Sequence, residues 1–276
     1  MKKLKLSLTL ILLAHIGFTQ NDSLYSEIRN FLSDEKYAEA NTLIGQELKH
    51  AKSDHKAILL MFKSKIQALE KNEEEALNTL NLVIELDSIQ DSNLVSAYFS
   101  RYSLYANLGK LEKALDDALW LARKEPENPN YSVNLTYLFG LLKDYKRCFE
   151  VCDSNIRKFP TEALFYNNFC YFLNQYGDYE YAIKMANKGL KHVVNLQHKG
   201  YLINNRGYAN FKLGNDYKAI QDFNKALKIQ PTNTYALMYR STYYFKKGKT
   251  KKGCQDLVEA KSLGVKVDNL LESKCR

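Results

Sequence analysis

The sequence predicts an all-α chain built from stacked helix pairs. Three observations carry that expectation. The 276 residues include only 4 prolines, and Leu, Ala, Lys and Glu are abundant, which favours helix over sheet. Apolar side chains recur at spacings of three and four, as in Ile220, Phe223, Ala226 and Leu227, which is the stripe of an amphipathic helix. Pro126 and Pro160 stand 34 residues apart, and each closes a segment of similar pattern.

Composition sets the outer limits. The chain is 45% hydrophobic and 26% charged, as in an ordinary globular protein rather than a disordered or collagenous one. Five cysteines are too few for a disulfide-stapled miniprotein. The chain is long enough for one large core, two domains or a repeat array.

The N-terminus reads as an address. Residues 1–5 carry three lysines and no acid, and residues 6–18 are mostly apolar. Gly17 and Thr19 place small residues at the two positions that a leader peptidase reads, so a signal peptide over residues 1–19 with cleavage before Gln20 is expected. A spanning helix needs about twenty apolar residues, more than this run holds, so an uncleaved anchor is the lesser alternative. No cysteine adjoins the cut, so a lipid anchor is not expected. The mature chain is expected to be exported, to the periplasm or beyond. Without residues 1–19 the formal charge falls from +9 to +6, and it is uneven. Residues 199–276 hold 16 Lys/Arg and 6 Asp/Glu, net +10, whereas residues 20–198 hold 21 and 25, net −4.

The clearest repeat unit runs from Gly200 to Pro231 and contains NRGYANFKLGNDYKAIQDFNKALKIQP. Counting Gly200 as position 1, Gly207, Ala219, Phe223, Ala226 and Pro231 fall at positions 8, 20, 24, 27 and 32. The same frame fits residues 95–128 (Ala114 at 20), 129–162 (Cys148 at 20, Cys152 at 24), 163–196 (Cys170 at 8, Ala182 at 20) and 234–267 (Gly253 at 20, Leu257 at 24). It fits residues 21–54 and 57–90 more loosely, through Ala40 and Ile44, then Ala76 and Leu80. Small residues at 8 and 20 let two antiparallel helices approach, and proline at 32 ends the second.

Small residues at 8, 20 and 27, a bulky one at 24 and proline at 32 resemble the tetratricopeptide repeat. Arg206 at position 7 and Asn210 at position 11 depart from its pattern. The resemblance implies a right-handed superhelical solenoid of about seven antiparallel helix pairs with a concave groove. The expected order is a leader over 1–19, degenerate repeats over 20–94, clear repeats over 95–267 and a capping helix over 268–276. The Lys, Asn and Tyr richness, with the FTQ end of the leader, resembles proteins of Bacteroidetes-type bacteria.

Arrays of this kind are usually noncatalytic interaction scaffolds whose first helices line the groove, so the resemblance implies a protein or peptide partner. Three consecutive units share Asn at position 6 and Tyr at position 9: Asn134/Tyr137, Asn168/Tyr171 and Asn205/Tyr208. Each pair is three residues apart and shares one helix face. An amide can donate to and accept from a peptide backbone, and tyrosine adds a rigid apolar surface with a hydroxyl. The resemblance puts Asn167, Asn174, Tyr201, Asn204, Phe211 and Lys212 on the same wall. The family's carboxylate clamp does not match, because position 5 is Val133, Asn167 or Asn204 and position 9 is tyrosine. The alternative is an adaptor for an anionic membrane surface or nucleic acid through Lys246, Lys247, Lys249, Lys251 and Lys252. Of these two, nucleic acid is the less favoured. Oligomeric state is left open.

No catalytic or cofactor motif is complete. Gly248-Lys249-Thr250 mimics the end of a phosphate loop, but its earlier glycine is replaced by Tyr243. The histidines are scattered, so no metal, no cofactor and no enzymatic activity are expected. Cys148, Cys152 and Cys170 sit where the repeat wants small residues and read as buried thiols. Cys254 and Cys275 are a candidate disulfide that pins the cap.

Overall fold

The computed structural model describes residues 22–267 and 269–275. The expected leader over residues 1–19 lies outside the described residues, as do Asp268 and Arg276 of the expected cap.

The described residues form helices joined by short turns, without strand. Seven antiparallel pairs follow in order. They are α1 (Asp22–Ser33) with α2 (Tyr37–Leu48), α3 (Ser53–Leu69) with α4 (Glu73–Ile84), and α5 (Asp91–Asn107) with α6 (Leu111–Lys124). Next come α7 (Pro129–Leu141) with α8 (Tyr145–Lys158), and α9 (Ala163–Tyr176) with α10 (Tyr179–His192). The last are α11 (Leu196–Lys212) with α12 (Asp216–Ile229), and α13 (Thr234–Lys246) with α14 (Thr250–Ser262). A short α15 (Asn269–Glu272) and a 3-10 turn (Ser273–Cys275) end the chain. The chain divides into two compact units, with the division between Tyr131 and Ser132.

The turn inside each pair fixes the register. Position 15 of all seven units adopts a left-handed backbone: Glu35, Lys71, Gly109, Lys143, Gly177, Gly214 and Gly248, with φ from 58° to 103°. In each, the next residue's N–H reaches back to a carbonyl five residues earlier, as from Lys110 to Tyr105 and from Asn215 to Asn210. Only glycine takes this conformation without cost, yet three units use Glu or Lys there. Those side chains hid the turn in the sequence of the weaker units.

Small residues at positions 8 and 20 do what their spacing implies. A Cβ on Gly207 would fall 2.9 Å from the Cβ of Asp222, and one on Gly253 would fall 2.8 Å from the Phe245 ring. Where position 8 carries a polar atom, it often binds the facing backbone: Ser64 donates to Ala76 O at 2.9 Å and Ser241 to Gly253 O at 2.9 Å. Cys170 and Cys148 use the same contact, their thiols donating to the carbonyls of Ala182 and Thr136. Proline at position 32 acts as expected, since the residues before it, Glu125, Phe159 and Gln230, are all non-helical C-caps.

In the first unit, Ile28, Ile44, Leu59 and Ile66 are fully buried around Tyr25 and Phe62. Val95, Leu121 and Tyr131 form a second cluster there. In the second unit, α9 buries Phe165, Tyr166, Phe169 and Phe172, and Phe211, Phe223 and Tyr243 pack together.

A further device recurs that the sequence reading passed over as a departure at position 7. Arg206 grips Asp222 with two hydrogen bonds, of 2.9 and 2.7 Å, and donates a third to Asn187 of the preceding pair at 2.6 Å. Arg240, Asp256 and Asn224 repeat the arrangement, as do Arg101, Asp117 and Asn81 in the first unit. The arginine sits at position 7, the aspartate at 23, and the asparagine at 25 of the previous unit. Pairing with the aspartate raises the pKa of Arg206 and of Arg240. Each triad ties one helix pair to the next.

Candidate functional site

The candidate site is the face made by the first helices α7, α9, α11 and α13 in the second unit. Tyr137, Tyr171 and Tyr208 hold the same register position on the first three. Thr242 takes that place on α13, where Tyr239 and Tyr235, one and two turns earlier, supply phenols instead. Tyr208 and Tyr239 have ring centroids 4.4 Å apart, and Tyr235 lies 6.4 Å from Tyr239. Further along, Tyr137 and Tyr171 both pack on Phe172, at 6.0 and 5.0 Å. Gly140 makes room for that ring, because a Cβ there would fall 2.2 Å from it.

The phenols feel one another across the face. Burial pushes Tyr171 up to about 12, helped by Tyr235, Tyr137, Tyr145 and Tyr208. Burial also raises Tyr239, with Tyr171, Tyr208 and Tyr235 adding to it, and raises Tyr137, with Tyr235 adding. Tyr235 of α13 thus contributes to both Tyr171 of α9 and Tyr137 of α7. The raised values keep Tyr137, Tyr171 and Tyr239 protonated at neutral pH, so their hydroxyls can donate hydrogen bonds.

The amides are less uniform than their spacing suggested. Asn134 and Asn168 are half-buried on the wall beside the tyrosines. Asn205, expected as their equivalent, is 9% exposed and donates to the carbonyl of Asn167 at 3.4 Å. Asn174 donates to the carbonyl of Asn205 at 3.0 Å, so these two amides clip α9 to α11. Asn204 is 2% exposed, and Phe211 packs into the Phe223 cluster instead of facing outward. Tyr201 accepts a hydrogen bond from Gln230. Register alone does not reveal that α11 packs deeply against α9, which turns these positions inward. Asn167 is nine-tenths buried, and neither end of its side-chain amide has a hydrogen-bond partner among the described residues. Oδ1 of Asn174 and of Asn204 is also unpartnered.

Lys212 is exposed, with its Nζ 5.8 Å over the Tyr208 ring and 5.9 Å over Tyr179. In the basic run, Lys247 pairs with Asp216, the Nζ of Lys246 sits 4.9 Å over Phe211, and that of Lys252 5.9 Å over Tyr244. Lys249 and Lys251 are exposed. The patch is therefore partly engaged within its own chain.

Cys254 of α14 and Cys275 of the terminal turn form a disulfide. Cys148, Cys152 and Cys170 are free and buried, and burial raises the thiols of Cys152 and Cys170. Among the described residues, no group of three or more His, Cys, Asp or Glu side chains is placed to hold a metal ion, and no helix is long and apolar enough to cross a membrane.

Paired antiparallel helices in a common register, with one first-helix face left lined by phenols and amides, define an all-α helix-pair solenoid. Residues 201–233 match the family model of the tetratricopeptide repeat, so the chain carries that repeat. The human protein sperm-associated antigen 1 is 35% identical over 98 residues, which is 36% of this chain. The match spans about a tenth of that protein's length. A tetratricopeptide repeat protein from Parabacteroides merdae superposes with a TM-score of 0.71 at 17% identity, over 92% of this chain and 96% of that one. The Cut9–Hcn1 hetero-tetramer of APC/C gives 0.60 at 14% identity, over 90% and 47%. YrrB, described as a TPR protein with an unusual peptide-binding site, gives 0.50 at 20% identity, over 70% and 95%. At these identities the structures share the fold.

Proposed function

We propose that this protein is an exported, noncatalytic scaffold that binds an extended segment of another protein on the face made by α7, α9, α11 and α13. The observation that carries the reading is the tyrosine wall, in which Tyr137, Tyr171, Tyr208, Tyr235 and Tyr239 converge from four successive first helices. Rigid phenols give contact area at low entropic cost, and their hydroxyls stay available as donors. The half-buried amides of Asn134 and Asn168 share the register face of the tyrosines and can donate to and accept from a peptide backbone. YrrB, a structural relative, is described as having a peptide-binding site, which supports the reading by analogy.

The test is an affinity capture from envelope extract of the source cell. The control variant carries Asn168→Ala, Tyr171→Ala and Tyr208→Ala. Asn205 stays unchanged because its amide holds α9 to α11. Partners lost with the variant, at unchanged helicity, support the wall as the binding face. Partners retained by the variant but released by high salt would move the site to the basic run around Lys249 and Lys251.

A further inference from the structure

The four first helices of this face contain no carboxylate. Among the 13 residues of α7, 14 of α9, 17 of α11 and 13 of α13 there is no Asp or Glu. The acids of this region lie on the second helices and at helix N-caps, among them Glu150 and Asp153 on α8, Glu180 on α10, Glu259 on α14 and Glu162 at the N-cap of α9. Several are already engaged: Asp222 and Asp256 with their arginines, Asp216 with Lys247, Asp178 with the backbone N–H of Tyr181, and Glu162 with the backbone N–H of Leu164.

The Lys and Arg residues of the four first helices are Lys199, Arg206 and Lys212 on α11 and Arg240 and Lys246 on α13. Arg206 and Arg240 are neutralised by their aspartates. Lys212 and Lys246 occupy one register position in consecutive helices, both are exposed, and neither makes an ion pair among the described residues. The Nζ of Lys212 lies 5.8 Å over the Tyr208 ring, and that of Lys246 lies 4.9 Å over Phe211, against whose cluster Tyr208 and Tyr239 pack. The wall's phenols and amides can donate hydrogen bonds to an anion as well as accept them. Such a surface offers hydrogen-bond donors and uncompensated positive charge, with no anion to repel an incoming one.

We infer that the segment bound on this face is anionic: an extended peptide whose carboxylates reach Lys212 and Lys246 past the tyrosines. This rests on the peptide-binding reading above and names the chemistry of its ligand. Side-chain carboxylates and a free C-terminus share that chemistry.

The test selects a yeast-displayed library of random twelve-residue peptides against the purified chain, with counter-selection on Tyr171→Ala/Tyr208→Ala. Enriched peptides are expected to gain Asp and Glu and to lose Lys and Arg relative to the input. A selected peptide, synthesised with fluorophore, should bind about tenfold more weakly to Lys212→Gln/Lys246→Gln, and more weakly as salt rises through the range where the Debye length falls below about 10 Å. Amidating its C-terminus abolishes binding if the terminal carboxylate is the anchor and leaves it intact if side chains are. Enrichment of neutral or basic peptides, with affinity unchanged by the lysine variant, overturns the inference while the peptide face stands. Enrichment equal on the tyrosine variant overturns both. Equal competition by an oligothymidine or by phosphatidylglycerol vesicles also overturns it, in favour of unselective anion binding.

Discussion

Replacing Asp222 with alanine should measure what one Arg–Asp–Asn triad contributes. The Asp222 side chain is 9% exposed and that of Arg206 is 24%, so the pair lies between a surface bridge and a buried one. Surface pairs contribute at most about 1 kcal/mol, whereas breaking a buried pair costs about 3–5 kcal/mol. Asp222→Ala leaves a half-desolvated guanidinium without its counter-charge and removes an acceptor from Asn210. It keeps the Cβ that packs against Gly207, so no large cavity opens. The expected loss is about 2–3 kcal/mol, or roughly 5–10 °C in midpoint for a protein of this size. Thermal and urea unfolding followed at 222 nm would read it. Arg206→Met/Asp222→Leu should recover most of the loss, since apolar replacement of a buried pair is often neutral. A loss below about 0.5 kcal/mol for Asp222→Ala would refute the view that these triads hold neighbouring pairs together.

Lys143 holds a left-handed turn that glycine fills in other units, so Lys143→Gly should stabilise by about 1 kcal/mol, and Gly177→Ala should destabilise by at least as much, both read by urea midpoint. The folded-state pKa of Tyr171 is raised to about 12 by burial and neighbouring phenols, so its contribution is complete below pH 10 and is lost as pH rises through 12. Stability measured from pH 9 to 12 should fall, and Tyr171→Phe should fall less steeply. The Cys254–Cys275 disulfide closes a loop of 21 residues, and beyond it the tail is held by a Lys261–Glu272 pair and the Lys274 contact with Phe245. Reduction should open trypsin cleavage after Lys266 while the helical signal is retained; cleavage at the same rate in both redox states would place the anchor elsewhere.

The helix pairs were legible because their causes are local. Gly207 and Gly253 mark close approaches, Pro126, Pro160 and Pro231 mark ends, and the apolar stripe marks the buried face. The two N-terminal pairs were fainter, since Glu35 and Lys71 occupy turn positions where a glycine would have announced the break. The repeated tyrosines were visible as a pattern. That Tyr235 and Tyr239 join them on α13 was not, because they stand at other register positions and meet the wall only through the curvature of the face.

What the sequence determined by itself was the period, the pairing of helices and the residue types at each register position, since helix geometry converts spacing directly into facing. What only the tertiary structure decided was depth and partnership. Asn205 and Asn174 turned inward because α9 and α11 pack closely enough to exchange hydrogen bonds, and Phe211 went with them into the core. Arg206, Asp222 and Asn187 became one triad although Asn187 and Asp222 stand 35 positions apart in the chain. Their meeting depends on how one pair stacks on the next, and no local spacing encodes that.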